Sequence, residues 1–177
     1  MAVEQFNLAQ NQRAERKLLI TVAEWTETVG TTPTQEREIL GRRTEDSSIE
    51  YNPDIQTSTD ILGINYTDVN KTQPQQDFDP FLILGGSKLG AFLNDKRKRN
   101  ALSELSSFKI YIITAFVGNA QDGYSAERHD DCTILFNSLG GDANVNMPIS
   151  VYFSNKVTAG TVDKLTDDFV FTPDVTL

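Results

Sequence analysis

Residues 17–68 read KLLITVAEWTETVGTTPTQEREILGRRTEDSSIEYNPDIQTSTDILGINYTD, and the fold turns on how this stretch is divided. Leu18, Ile20 and Val22 alternate along one face of an extended segment, while Leu19, Ala23 and Trp25 fill the other. Two apolar faces predict a strand covered on both sides. After Glu27 the pattern turns polar, punctuated by Gly30, Pro33 and Gly41. It resumes with Ile49, Tyr51 and Ile55 alternating against Ser48, Glu50, Asn52 and Asp54. That is the pattern of a sheet with one wet face, with Pro53 at an edge or bulge. Gln56–Asn65 reads as a further strand and Tyr66–Gln76 as a polar connection. Thr28–Thr44 is then a charged loop, whereas hairpin loops usually run to about 2–5 residues. It carries Arg37, Glu38, Ile39, Leu40, Arg42 and Arg43, a mix expected to be ordered by a partner, and a second copy of the chain is the expected one. Deleting Thr32–Arg42 is therefore expected to block assembly and leave the monomer folded.

Outward from that stretch, residues 1–16 form a polar N-terminal arm. Phe78–Leu105 carries the helical pattern, with Asp79 as an N-cap, Pro80 at the first helical position and Ser87 capping a second helix after Gly85-Gly86. Phe108–Val117, nearly all apolar and β-branched or aromatic, predicts a central strand. Asp122-Gly123 reads as a turn, Tyr124–Leu139 and Met147–Ser154 as strands, and Val157–Thr172 as one or two more anchored by Phe169 and Phe171. Strands do not alternate with helices, which argues against a doubly wound sheet. The expectation is one domain over residues 1–177: mainly β, an antiparallel β-sandwich or barrel with one flanking α-helical segment and a long strand-connecting loop.

Composition excludes several classes of function. Lys and Arg number 16 against 25 Asp and Glu, a net charge of −9. Phosphate affinity rests on cations releasing counterions, so this is a poor non-specific nucleic-acid binder. The longest apolar runs, Phe81–Leu84 and Ile110–Ile113, are far too short to span a membrane, and the first residues lack the apolar core of a secretory signal. The lone Cys132 permits no internal disulfide. His129 and Cys132 are three apart on one strand, which places them on opposite faces and prevents a catalytic pair. Gly85-Gly86-Ser87-Lys88 lacks phosphate-loop spacing and reads as a helix break. Lys96–Arg99 reads as a solvated or ion-pairing helix end. No cofactor, metal set or catalytic constellation is expected, and so no enzyme.

One order of motifs is distinctive: the charged run Glu36-Arg37-Glu38 through Arg42-Arg43-Thr44-Glu45-Asp46, then Ile49-Glu50-Tyr51-Asn52-Pro53, Thr59-Asp60-Ile61-Leu62-Gly63 and Asp77-Phe78-Asp79-Pro80-Phe81. Ala126-Glu127-Arg128, Gly140-Gly141-Asp142, Pro148-Ile149 and Gly160-Thr161-Val162 follow. This order resembles the major tail protein, or tail tube protein, of long-tailed bacteriophages and prophages of Gram-positive bacteria. The resemblance implies a tail-tube-like β fold forming hexameric rings that stack into a virion tail tube. It implies self-association, contacts with tape-measure and tail terminator or baseplate proteins, and passage of viral DNA without specific binding. Thr28–Thr44 would be the inter-subunit loop, and Glu24, Glu45 and Glu50 are the candidates for a negatively lined lumen. The alternative is another β-rich phage baseplate part or a cell-surface, carbohydrate-binding module.

Overall fold

The computed structural model describes residues 6–29, 31–44 and 46–174. It is mainly antiparallel β, as the sequence predicts. A short 3-10 turn at Arg16–Leu18 leads into β1 (Leu19–Val29), which turns directly into β2 (Thr32–Ile39). The two pair in register from Val22↔Ile39 to Val29↔Thr32. Here the sequence-based loop is corrected, because Thr28–Thr44 is mostly a strand. Its alternation is written in polar residues, since β2 is the sheet's edge and is largely exposed over its first half. Pro33 is tolerated there because an edge strand need not donate from every N–H.

β3 (Ile49–Glu50) and β4 (Asp54–Thr59) are separated at Asn52 and Pro53. Asn52 has φ of +40°, a kink that ends the first pairing. β5 (Asn65–Lys71) and β6 (Gln75–Phe78) occupy the region read from sequence as a polar connection. The helical expectation from Phe78 onward is corrected as well. Phe78 closes β6, the Asp79–Pro80 bond is cis, and no helix starts there. The helix, α1 (Lys88–Arg99), begins where Ser87 caps it, the Ser87 hydroxyl accepting from Gly90 N at 3.0 Å. β7 (Phe108–Asn119), β8 (Gly123–Phe136), β9 (Ile149–Tyr152), β10 (Val157–Val162) and β11 (Phe171–Pro173) complete the chain.

Nine strands form one antiparallel sheet in the order β2-β1-β7-β8-β9-β6-β3, with β10 and β11 branching from β8. The long β8 links two halves. Tyr124–His129 pairs with β10, and Thr133–Phe136 pairs with β9. Between them lies Asp131 at φ +56°, where β8 spends three residues against two of β7: His129 faces Ile110 and Cys132 faces Phe108. This bulge bends the strand from one half to the other. It also overturns the face assignment made from strict alternation, because an extra residue shifts the parity. His129 and Cys132 are both buried, and the Cys132 thiol donates to the His129 carbonyl.

Two cores result. Trp25, Phe92 and Phe108 stack in the larger one, between the two halves of the sheet and α1, together with Phe78, Leu93, Ile134 and Met147. Val22, Tyr111, Ile113, Val162 and Phe169 make the smaller one on the opposite face of β1 and β7. β1 and β7 are thus covered on both sides, as their two apolar faces require.

Glu38 of β2 fixes α1 to the sheet. Its carboxylate accepts from Leu89 N at 2.9 Å and from the Ser87 hydroxyl at 2.8 Å, so the helix N-terminus already holds an anion from its own chain. This explains why Gly85-Gly86-Ser87-Lys88 is not a phosphate cradle; with no helix before it, the segment is the entry to α1 and not the break between two helices expected from sequence. Replacing Glu38 by Ala should cost about 1–2 kcal/mol, the value of a charge-assisted cap. Denaturant titration should show it as a lower midpoint with an unchanged slope.

Candidate assembly interface

β4 and β5 form a two-stranded sheet that pairs with no other strand among the described residues. They continue the β3–β6 hairpin past the Asn52 kink, with Gln73 N donating to Tyr51 O and the Asn52 amide to Gln73 O. The register runs from Asp54↔Lys71 to Thr59↔Asn65, with a bulge after Asp54. Every residue of β4 is exposed. An isolated two-stranded hairpin is marginal in water, because neither face buries apolar surface.

The tip is nonetheless built with care. Asp60 Oδ1 accepts from Leu62 N at 2.8 Å and Ile64 N at 2.9 Å, and Oδ2 accepts from the Tyr66 hydroxyl at 2.9 Å. Those backbone donors, Ile64 first, hold its carboxyl below its ordinary pKa. Gly63 takes φ of +80°, which its missing Cβ allows. The motif Thr59-Asp60-Ile61-Leu62-Gly63 is therefore a locked turn. It presents Ile61 fully exposed and Leu62 at 77 % exposure, with Tyr51, Ile55, Ile64, Tyr66 and Val69 exposed along the same hairpin. Apolar side chains held out on an ordered scaffold are the mark of a surface that meets another protein.

The residues singled out from sequence are scattered elsewhere. Arg37 serves its own chain. Its Nε lies 2.5 Å from Glu24 Oε2, one terminal nitrogen donates to Phe169 O at 2.6 Å, and the guanidinium stacks on the Tyr111 and Phe169 rings. Glu38 caps α1, Leu40 is in the larger core, and Ile39 packs against the smaller. Arg42 and Arg43 are exposed on the turn after β2. None of these residues lies in the projecting segment, which is the β4–β5 hairpin.

The lumen candidates also separate. Glu24 is corrected: it is buried at 3 % exposure, paired with Arg37 and Lys109 and accepting from Tyr111, and faces no channel. Glu45 lies outside the described residues. Glu50 is exposed on the outer face of the β8-β9-β6-β3 half, in one rank with Gln75, Tyr152 and Thr133, and Asp77 stands on the same face. That face bears two carboxylates and no cation among these positions.

The basic helix end is mostly spent within the chain, Lys96 on Glu104, Arg99 on Asp95 and Arg97 on Asn94. His129 contacts the Ser154 carbonyl through Nδ1 at 3.2 Å and lies 3.6 Å from Glu127. Among the described residues no cluster of His, Cys, Asp and Glu could hold a metal ion. Among the described residues no helix is long and apolar enough to cross a membrane. The N-terminal arm docks on β7 beyond Thr114, ahead of the start of β1: Phe6 bridges Val117 and packs edge-on against Phe116, and Asn7 N donates to Phe116 O.

No protein-family model matches the chain, and no curated protein matches its sequence. Among solved structures, a chain from the cryo-EM structure of the anti-feeding prophage baseplate, 6-fold symmetrised, is similar at a TM-score of 0.46 and 10% identity, over 89% of this chain and 100% of that one. The assignment of fold class rests on the ladders described above and not on that overlap.

Proposed function

We propose that this chain is a non-catalytic structural subunit of a phage tail that assembles with copies of itself. The β4–β5 hairpin carries the reading: an ordered projection with an apolar tip has no purpose in an isolated monomer and little stability there. The motif order described above supports the finer form, in which hexameric rings stack as a tail tube. In that form the tube meets tape-measure and terminator or baseplate proteins, and viral DNA passes through without being bound. Glu50 and Asp77 suit the lumen side, because carboxylates that have no salt-bridge partner among the described residues repel phosphate and let DNA slide.

The test is sedimentation and negative-stain imaging of the purified chain over a wide concentration range, beside the double variant Ile61→Glu, Leu62→Glu. The expected result is rings or tubes from the parent chain and monomers from the variant at unchanged melting temperature. A variant that assembles like the parent would remove the hairpin from the reading.

One groove favours a second reading, a carbohydrate-binding baseplate module. It measures about 340 Å³ and lies at the hairpin's hinge, lined by Asn52, Thr72, Gln73, Gln75, Tyr152 and Asn155, all uncharged and with one exposed ring. Neutral carboxamides beside an aromatic suit a sugar. Saturable binding of chitotriose or maltotriose, lost in Tyr152→Ala, would favour it.

A further inference from the structure

The two faces of the β4–β5 hairpin differ in a way its overall exposure conceals. Directly paired residues share a face, and alternate residues along a strand share it too. The register therefore places Ile55, Thr57 and Thr59 together with Val69, Thr67 and Asn65 on one side. That side has no formal charge across three ranks. The other side pairs Gln56 with Asp68 and Ser58 with Tyr66. From Asp54 to Lys71 there are three Asp and one cation, Lys71, which stands opposite Asp54 at the base.

We infer that the neutral face, with the apolar tip, is the surface a second copy of the chain covers, and that the Asp68 face stays wet. This rests on the self-assembly reading above and adds which way the hairpin lies. The first argument is electrostatic. Covering the Asp68 face would desolvate a carboxylate with no Lys or Arg between residues 55 and 70, since the hairpin's one cation, Lys71, stands at its base opposite Asp54; such burial is heavily penalised. Copies that each carry a charge of −9 approach best with their acidic sides turned away from the contact. The neutral face meets no such penalty, since Thr and Asn side chains can satisfy one another across a sheet interface.

The second argument is area. On the neutral face and tip, Ile55, Ile61, Leu62 and Val69 are exposed at 56 %, 102 %, 77 % and 60 %, while Ile64 alternates with Asn65 and falls on the Tyr66 side. At ordinary side-chain areas these four residues present roughly 400 Å² of apolar surface, as much as the largest patch of a typical monomer and about half of the ~800 Å² per partner of a stable protein interface, the uncharged Thr and Asn ranks beside them supplying more. A small ligand could not cover it, and a second copy could. Turned this way in a ring, the hairpins would add Asp68 from every copy to one common wet surface.

Single cysteines test the orientation. Thr57→Cys and Thr67→Cys report the neutral face, and Gln56→Cys and Asp68→Cys the acidic one. Cys132 is fully buried and stays silent in the folded chain. Maleimide labelling is followed in the monomer and in assembled particles separated by sedimentation. All four sites should label in the monomer. On assembly, positions 57 and 67 should slow by at least about tenfold, because reaction then needs local opening, while 56 and 68 change little. Protection of 56 and 68 with 57 and 67 open would overturn the orientation while leaving self-assembly standing. Equal labelling on both faces of assembled particles would remove the hairpin from the contact. A parent chain that never assembles would overturn the self-assembly reading and this inference with it. Hydroxyl-radical footprinting of the unmodified chain gives the same comparison where a cysteine disturbs folding: Ile55 and Val69 protected, Tyr66 not.

Discussion

Replacing residues 53–72 with Asn-Gly should give a folded chain that no longer assembles. Asn52 faces Gln73 across the hairpin, by continuation of the Glu50↔Gln75 pairing, so two residues in a type I′ turn can close the ladder there. The excised part pairs only with itself, and none of its residues contributes to either core. Its loss should therefore shift the melting temperature by only about 5 °C or less. Sedimentation should find monomer at concentrations where the parent chain forms particles. Retained assembly would show that the sheet edges alone suffice, and a lost cooperative transition would show that the hairpin supports the fold. Deleting Thr32–Arg42 should behave in the opposite way, contrary to the expectation from sequence. It removes the strand beside β1, the buried Leu40, the counter-ion of Glu24 and the carboxylate that caps α1. That variant should not fold, and the comparison of the two deletions separates a core strand from a projecting one.

The difference between those deletions shows where hydrophobic pattern is informative. β1 and β7 were legible because each is buried on two faces and so carries apolar residues on both. β2 was not, because its sequence Thr-Pro-Thr-Gln-Glu-Arg-Glu-Ile meets its neighbours through charge: Arg37 on Glu24, Glu38 on α1. Its only local signal was the pair of β-branched residues Thr32 and Thr34 two positions apart, and Pro33 between them spoke against a strand. β5 was missed for a related reason. Residues 65–69, Asn-Tyr-Thr-Asp-Val, are all exposed in the monomer, and a strand that awaits a partner carries no core face to read. The tip motif Thr59–Gly63 was visible as a motif, but its role was not, since that depends on the Asp60 carboxylate receiving two backbone donors. The bulge at Asp131 had no sequence signal, and one inserted residue was enough to bring His129 and Cys132 to the same side.

Glu24 should prove the most costly single residue to truncate. It stands on β1 opposite Arg37 of β2 and Lys109 of β7, so one carboxylate neutralises a cation from each flanking strand. Arg37 in turn reaches the Phe169 carbonyl, which ties the C-terminal segment to the sheet. Burial by itself would raise the Glu24 pKa. The hydrogen bond and charge of Arg37, and then those of Lys109, outweigh it and hold the group below its ordinary 4.5. Burial and the same carboxylate push the Tyr111 hydroxyl up to about 12, so it stays a donor at any ordinary pH. Removing one partner of a buried pair leaves the other uncompensated, and Glu24→Ala should cost about 3–5 kcal/mol, or roughly 10 °C in melting temperature for a chain of this size. Glu24→Gln keeps the shape and part of the hydrogen bonding and should cost about half as much. The two variants also differ from the parent in acid. A carboxylate whose folded pKa is depressed contributes stability above its unfolded pKa and loses it as pH falls through the folded value. The parent chain should therefore lose stability below pH 4.5 more steeply than Glu24→Gln, whose neutral amide has no proton to bind. Parallel acid profiles for the two would show that Glu24 does not carry its charge into the folded state. Combining Glu24→Ala with Arg37→Ala should cost less than the sum of the single changes, because each removes the charge that made the other's loss expensive.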